Sequence, residues 1–367
     1  LIRRKSRGLT SFLPSTANRQ LSTSPAGLYI HFPFCLRFCP YCDFYKERFD
    51  DKRLRACIER FKGELGVYRG KEIETVYLGG GSPSLLGKEG GGFFRFIRKN
   101  FPLRAPEITL EVNPEDASED RIMLWKEWGI NRISLGLQTA DKRRLEEFGR
   151  GYSGRAARRV FEELRSAGFK NISIDLIFGF PYTNMALLKK DLEYTLSLQP
   201  EHISVYNLSW KNPEMRKWRK GKLTEDTESG MYNLVCEILG KAGYDHYEIS
   251  SFAKKGFYSR HNLKYWRLEE WIGAGPGAAG YTGGIWYKNR EGAEDYIKKG
   301  PVRAESRELD EKDRVMMGLR TKWGIKRSGP WEEKLGKWRE CFRWRRDRIS
   351  FKEEKWFVSD YILAKII

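Results

Sequence analysis

Cys35, Cys39 and Cys42 fall in the stretch Tyr29-Ile-His-Phe-Pro-Phe-Cys-Leu-Arg-Phe-Cys-Pro-Tyr-Cys-Asp-Phe44, and this C-x3-C-x2-C spacing constrains the chain more than any other feature. Three thiols so placed can wrap one face of a small inorganic cluster. Iron–sulfur cubes are held by cysteine thiolates, usually four, so three leave one iron free to bind something else. Two plainer readings compete: a zinc site with His31 as fourth ligand, or three unpaired core thiols. Zinc sites usually add a second C-x-x-C or H-x3-H pair, and none follows here. Spacing and aromatic setting favour the three-cysteine cluster.

The 367 residues suffice for one large or two moderate domains. No run of about 18 apolar residues occurs, so no helical membrane span is expected. Cys57, Cys236 and Cys341 stand alone, as buried or neutral thiols rather than a disulfide framework. The implied compartment is reducing, which fits a cytoplasmic location. The formal charge of +19 invites a nucleic-acid partner, but Lys and Arg are mixed with 49 acids along the whole chain. That pattern reads as a solvated basic surface. One denser patch, Lys337 to Arg348, interleaves basic residues with aromatics and suits phosphates, an anionic membrane surface or a carboxylate-bearing ligand. No nucleic-acid motif accompanies it, so nucleic acid is not expected as a partner. Residues 1–26 hold five Lys/Arg, many Ser/Thr and no acid. The composition is that of an organellar transit peptide, or of a disordered basic arm.

From Gly27 onward, short apolar β-rich runs alternate with amphipathic helical runs, the signature of parallel β/α units. The spacing predicts strands at Leu28–Phe32, Thr75–Leu78, Glu107–Val112, Arg132–Leu137, Ile172–Phe178 and His202–Leu208. Helices are predicted near Lys52–Val67, Ser118–Trp128, Arg155–Ala167 and Leu187–Leu198. In such sheets the ligand site lies at the carboxyl ends of the strands. One helix is poorly encoded: Leu86 to Phe94 holds four glycines between the second and third strands. After about residue 210 the rhythm stops. Residues 211–305 read as a mixed cap or linker, and 306–367 as a small helical or winged domain.

Several motifs fall where a ligand would lie. Gly79-Gly-Gly-Ser-Pro-Ser84 follows the second strand and offers unshielded backbone groups. A Walker A loop is excluded, because Ser82 takes the first glycine position and Glu89 the magnesium-binding one. Glu111-Val-Asn-Pro114 ends the third strand with an acid suited to a ribose hydroxyl or an ammonium group. Arg132, Ser134, Gly136 and Gln138 share one face of the fourth, which is sensible only if that face lines a wet or liganded cavity. Asp175 interrupts an apolar strand, with Arg150, in Gly-Arg-Gly, as its natural partner. Tyr29 and Tyr41 flank the cysteines as shielding aromatics. His261-Asn-Leu-Lys-Tyr-Trp266 puts His261 one helical turn from Tyr265. Gly273 to Gly280 reads as a tight turn near the barrel mouth.

The string Tyr-Ile-His-x-Pro-Phe-Cys-x3-Cys-x-Tyr-Cys resembles the radical S-adenosylmethionine (SAM) proteins, in the branch that holds oxygen-independent coproporphyrinogen III oxidases and HemW-type heme chaperones. The resemblance runs from about Gly27 to Arg320. It implies an α/β fold, an open six-unit (β/α)6 partial TIM-like barrel, with a smaller C-terminal mixed or winged-helix-like domain of the HemN type. It implies a 4Fe–4S cluster on Cys35, Cys39 and Cys42, with SAM on the remaining iron. Gly80, Gly81 and Ser82 would hold the methionine moiety, Ser82 standing where Thr is commoner. Tyr29, Glu111, Gln138, Arg150 and Asp175 match further SAM-contacting positions, and the Tyr41 backbone lies near the adenine. The HNxxYW string is associated with heme, which makes His261 and Tyr265 the implied heme ligands. No residue is implied as catalytic. The oxidases commonly carry a further cysteine where this chain has Phe44. The resemblance therefore favours a heme chaperone that delivers heme to acceptor proteins, without coproporphyrinogen oxidase activity, over an oxidase that converts propionates to vinyls. It leaves a homodimer open.

Overall fold

The six β-rich runs form the centre of one twelve-stranded sheet in the computed structural model. The structure describes residues 24–367, so all but the last three residues of the basic arm expected over 1–26 lie outside the described residues. Strands β1 (Ala26–Phe32), β2 (Ile73–Gly80), β3 (Leu103–Val112), β4 (Arg132–Gln138), β5 (Ile172–Phe178) and β6 (His202–Asn207) pair in parallel in that order. Helices α1 (Asp51–Leu65), α2 (Glu89–Asn100), α3 (Glu119–Glu127), α4 (Gly154–Ser166) and α5 (Met185–Ser197) supply the crossovers. Four of them start where a short polar side chain accepts a first-turn N–H: Asp50 from Arg53, Ser118 from Arg121, Ser153 from Ala156 and Asn184 from Leu187. Each such cap contributes about 1 kcal/mol relative to alanine.

Period-two alternation sorts the strand residues into two environments. Leu28, Ile30, Val76, Leu78, Leu110, Ile133, Leu135, Ile174 and Ile203 face the helices and are buried. Thr75, Tyr77, Thr109, Glu111, Arg132, Ser134, Ser173, Asp175, His202 and Ser204 take the alternate positions, and several bond to one another across strands. The interior of the barrel is therefore polar and its apolar core lies between sheet and helices.

From Glu89 the glycine-rich segment is helical, as the first turns of α2. Phe93, Phe94 and Ile97 bury its inner face. A Cβ on Gly90 would overlap the Trp128 ring, which also stacks on Phe94 at 5.6 Å. Tertiary packing thus overrides a local preference that disfavours glycine by about 1 kcal/mol per residue.

The region expected as a cap, 211–305, supplies both outer ends of the same sheet. After α6 (Glu225–Lys241), β7 (Asp245–Glu248) and β8 (Ser251–Ala253) add to the β6 edge. On the other edge β9 (Trp271–Ala274) pairs in parallel with β1, followed by antiparallel β10 (Ala279–Thr282), β11 (Ile285–Asn289) and β12 (Arg303–Glu308). The Gly273–Gly280 run forms parts of β9 and β10 and the turn between them. Helix α7 (Arg260–Arg267) lies across the amino-terminal ends of β1 to β3: its first N–H groups donate to Glu107, and Lys264 donates to the Pro25 carbonyl.

Within 306–367 a three-stranded antiparallel sheet, β13 (Ile325–Lys326), β14 (Phe342–Trp344) and β15 (Arg348–Phe351), packs with helices over Gly329–Gly336 and Ser359–Ile366. Its buried Trp331, Phe342, Phe351 and Trp356 join the main apolar cluster. Among the described residues no helix is long and apolar enough to cross a membrane.

Candidate functional site

The cysteine loop leaves β1 at the carboxyl end of the sheet. Phe34–Cys35 makes a short parallel pair with Glu47–Arg48, which closes the base of the loop. At its tip the Cys42 N–H donates to the Cys39 carbonyl at 3.1 Å, and the Cys42 carbonyl accepts from Lys46 at 2.7 Å and from Asn212 at 3.1 Å. All three thiols are free and line one cavity of about 400 Å3. Burial pushes the Cys35 thiol up to about 11 and raises Cys42 as well. Bound metal would reverse that, since a coordinating thiol is deprotonated outright.

The donor set fits a cluster better than a single ion. A cube spreads its thiolates over different irons, whereas zinc draws all of them to about 2.3 Å from one point. The zinc arrangement with His31 also fails at His31, whose Nδ1 lies 3.0 Å from the Tyr29 hydroxyl and whose Nε2 lies 2.9 Å from the Tyr45 carbonyl oxygen.

Gly80, Gly81 and Ser82 form the next wall. Gly80 has φ of 107°, and a Cβ on Gly81 would stand 2.7 Å from the Phe34 carbonyl oxygen. Only glycine lets this turn press against the cysteine loop. Glu111 accepts from the Tyr77 hydroxyl at 2.9 Å and from the Gly80 N–H at 3.2 Å. Burial pushes its carboxyl up to about 7, with the Tyr77 bond opposing and nearby Asp175 adding to the rise.

Arg150 and Asp175 both line the cavity but do not pair. Arg150 donates from Nε to the Tyr41 hydroxyl at 2.7 Å and from Nη1 to Asn113 Oδ1 at 2.6 Å. Asp175 accepts from Ser134 at 2.6 Å and from Ser173 at 3.2 Å. Burial raises its carboxyl, while the Ser134 bond and nearby Arg132 lower it. The expected pair fails because Asp175 sits within the strand, in register with Gly136, whereas Arg150 follows the strand ends and is held by Tyr41 and Asn113. Gln138 lines the cavity with φ of 65°, just after a register irregularity.

Asn113 is a site residue that the sequence pattern did not single out. It donates to Ser82 Oγ at 2.8 Å while accepting from Arg150, and Ser82 Oγ lies 3.5 Å from Cys35 Sγ. The resulting chain, Tyr41–Arg150–Asn113–Ser82–Cys35, leaves the cysteine loop and returns to it. Its place in Glu-Val-Asn-Pro was the available signal.

Three expected contacts lie elsewhere. Tyr29 is not in the cavity wall, since its hydroxyl is turned to His31. His261 and Tyr265, expected as heme ligands, belong to α7 at the opposite end of the barrel. His261 is fully buried, with Nδ1 2.8 Å from the Thr75 hydroxyl, Nε2 2.7 Å from the Tyr265 hydroxyl, and its ring stacked on Tyr77 at 5.1 Å. Burial, with Lys264 and Arg132 nearby, lowers its pKa to about 3. In this arrangement neither ring nitrogen is free to reach an iron, and the pair closes the barrel floor.

Residues 29–195 match the family described as the Radical SAM superfamily. The chain is similar to the heme chaperone HemW of Lactococcus lactis subsp. lactis (strain IL1403), 37% identical over 314 residues that cover 82% of this chain and 83% of that protein. It is similar also to the heme chaperone HemW of Bacillus subtilis (strain 168), 34% identical over 331 residues that cover 84% and 86%. Among solved structures, the coproporphyrinogen III oxidase HemN of Escherichia coli, a radical SAM enzyme, has a TM-score of 0.79 over 93% of this chain and 89% of that one. At 19% identity that likeness carries the fold alone.

Proposed function

We propose that this chain, which belongs to the radical SAM superfamily and within it to the heme chaperone HemW family, binds heme and delivers it to acceptor proteins. The observation that carries this is the similarity to HemW proteins along most of both chains. Phe44, where the resembling oxidases carry a further cysteine, points the same way.

Cys35, Cys39 and Cys42 would hold a 4Fe–4S cluster, which supplies one-electron reducing chemistry and an iron position for SAM. Around it the residues of the chain hold and exclude. Gly80, Gly81 and Ser82 offer backbone groups to a methionine moiety, and Glu111 offers a carboxylate to an ammonium or ribose hydroxyl. Gln138 and Asp175 line the same cavity, and Arg150 fixes Tyr41 over its edge. Heme ligation by His261 and Tyr265 requires the hydrogen bond between them to break and iron to reach the barrel floor, while Thr75 can stay bonded to the other ring nitrogen.

A cytoplasmic location fits the six free cysteines. The basic C-terminal residues around Arg343 to Arg346 supply a surface for an acidic acceptor or a membrane face.

The test is anaerobic. The reconstituted protein is incubated in parallel with heme, and with SAM, coproporphyrinogen III and a reductant. A Soret band near one heme per chain without decarboxylated porphyrin supports the carrier. Protoporphyrinogen formed with 5′-deoxyadenosine would make the chain an oxidase.

A further inference from the structure

All four histidines of the chain are engaged through their ring nitrogens: His31 with Tyr29 and Tyr45, His202 with Ser173 and Tyr247, His246 with Tyr232 and Cys236, and His261 with Thr75 and Tyr265. In this arrangement no histidine nitrogen is free for iron, so the handles left for recognising a tetrapyrrole include its flat aromatic ring and its carboxylates. One place offers both chemistries. A cleft of about 820 Å3 shares Cys39, Cys42 and Phe44 with the cofactor cavity, so only the cysteine loop separates the two. That volume is within the range of small-molecule sites.

One wall of the cleft is apolar. Phe38 is 54% exposed and Phe44 62% exposed, which is unusual for two phenylalanines on one loop. Lys46 holds that loop in place, its ammonium donating to the Cys42 and Phe44 carbonyls. The facing wall is basic. Lys211 and Lys217 line it beside the acid Glu214, and the same segment, 211–220, carries exposed Arg216, Arg219 and Lys220 outside the lining. Of the other two acids of the cleft, Glu291 pairs with Lys288 at 3.0 Å, while Asp43 accepts from the Ser209 hydroxyl and keeps its charge. Exposed aromatic faces opposite a segment with five cations to one acid complement a planar aromatic dicarboxylate.

We propose that this cleft is the porphyrin seat, with the macrocycle on Phe38 and Phe44 and its propionate carboxylates toward Lys211 and Lys217; the assignment rests on the heme-binding reading above. The seat places the macrocycle against the loop that carries Cys39 and Cys42, so cluster and porphyrin share one structural element.

The test uses cluster-reconstituted protein titrated with hemin and with metal-free protoporphyrin IX, followed by absorbance and tryptophan quenching. Wild type is expected to bind both within about threefold of each other. Phe44→Ser, and the pair Lys211→Glu with Lys217→Glu, are each expected to weaken both probes by about tenfold or more, with cluster absorbance unchanged. Phe44→Tyr should bind as wild type. The lysine variants lie outside the cluster loop, so a loop damaged by Phe44→Ser does not decide the result. Unchanged binding in the lysine and Phe44→Ser variants would overturn the site and leave the heme reading standing. Hemin bound while protoporphyrin IX is refused would also overturn it. A wild-type chain that binds neither probe would overturn the heme reading itself.

Discussion

Asn113 Oδ1 accepts a hydrogen bond from Arg150 at 2.6 Å, and through its amide nitrogen the same side chain holds Ser82. One short residue thus ties the third strand to both ends of the cysteine loop. Asn113→Ala is expected to remove one partner each from half-buried Arg150 and buried Ser82, at about 1–3 kcal/mol. The readout is SAM affinity, which should fall by about tenfold while iron content stays at the wild-type level. Unaltered SAM affinity would show that the chain of hydrogen bonds is not needed to shape the cavity.

Cys39 is buried beside Tyr41 and Phe148. Replacing Sγ by oxygen removes a soft ligand with a small change in volume, so Cys39→Ser is expected to lose the cluster and, compared with cluster-free wild type, to unfold at nearly the same urea midpoint. Iron and zinc are measured together after anaerobic reconstitution. Zinc in stoichiometric amount, with iron absent from wild type, would count against the cluster assignment.

Glu111 gives the site a pH dependence of definite sign. Its folded pKa of about 7 lies above the ordinary value of 4.5, so the folded state binds the proton more tightly. Stability from this group is complete below about pH 4.5 and falls as pH rises toward 7, by about 3 kcal/mol. Glu111→Gln should therefore be more stable than wild type at pH 8 and lack this fall. Urea unfolding of the two proteins at pH 5 and pH 8, without SAM, checks it. Equal pH slopes would mean that the carboxyl titrates normally.

The six central strands were legible because their inner and outer faces differ in kind at a period of two, as Ser134 and Asp175 against Leu135 and Ile174 illustrate. Their register was not. Sequence made Arg150 the natural partner of Asp175, and only the structure shows Asp175 paired in register with Gly136 and bonded to Ser134 while Arg150 is held by Tyr41 and Asn113. The sheet edges were illegible for a related reason. Strands as short as Trp271–Ala274 carry too few residues to show a period, and β9 pairs with Gly27 to Ile30 at the other end of the chain. Asn113 was overlooked because asparagine before proline reads as a turn residue. His261 and Tyr265 were placed one helical turn apart correctly, but spacing could not say that they meet each other.

That last contact sets the sharpest prediction. His261 fills the barrel floor, bonded to Thr75 and Tyr265 and stacked on Tyr77, whose hydroxyl in turn reaches Glu111. Removing the ring leaves a cavity and two buried hydroxyls without partners, so His261→Ala is expected to lose about 2–5 kcal/mol of stability. His261→Gln, which can restore one bond, should recover part of it. Because neither imidazole nitrogen is free, heme bound per folded chain should be unchanged in both variants, measured by the Soret band at a temperature where they remain folded. Loss of heme from a folded His261→Gln protein would mean that α7 unseats to present the histidine to iron, and that the floor seen here is one of two states.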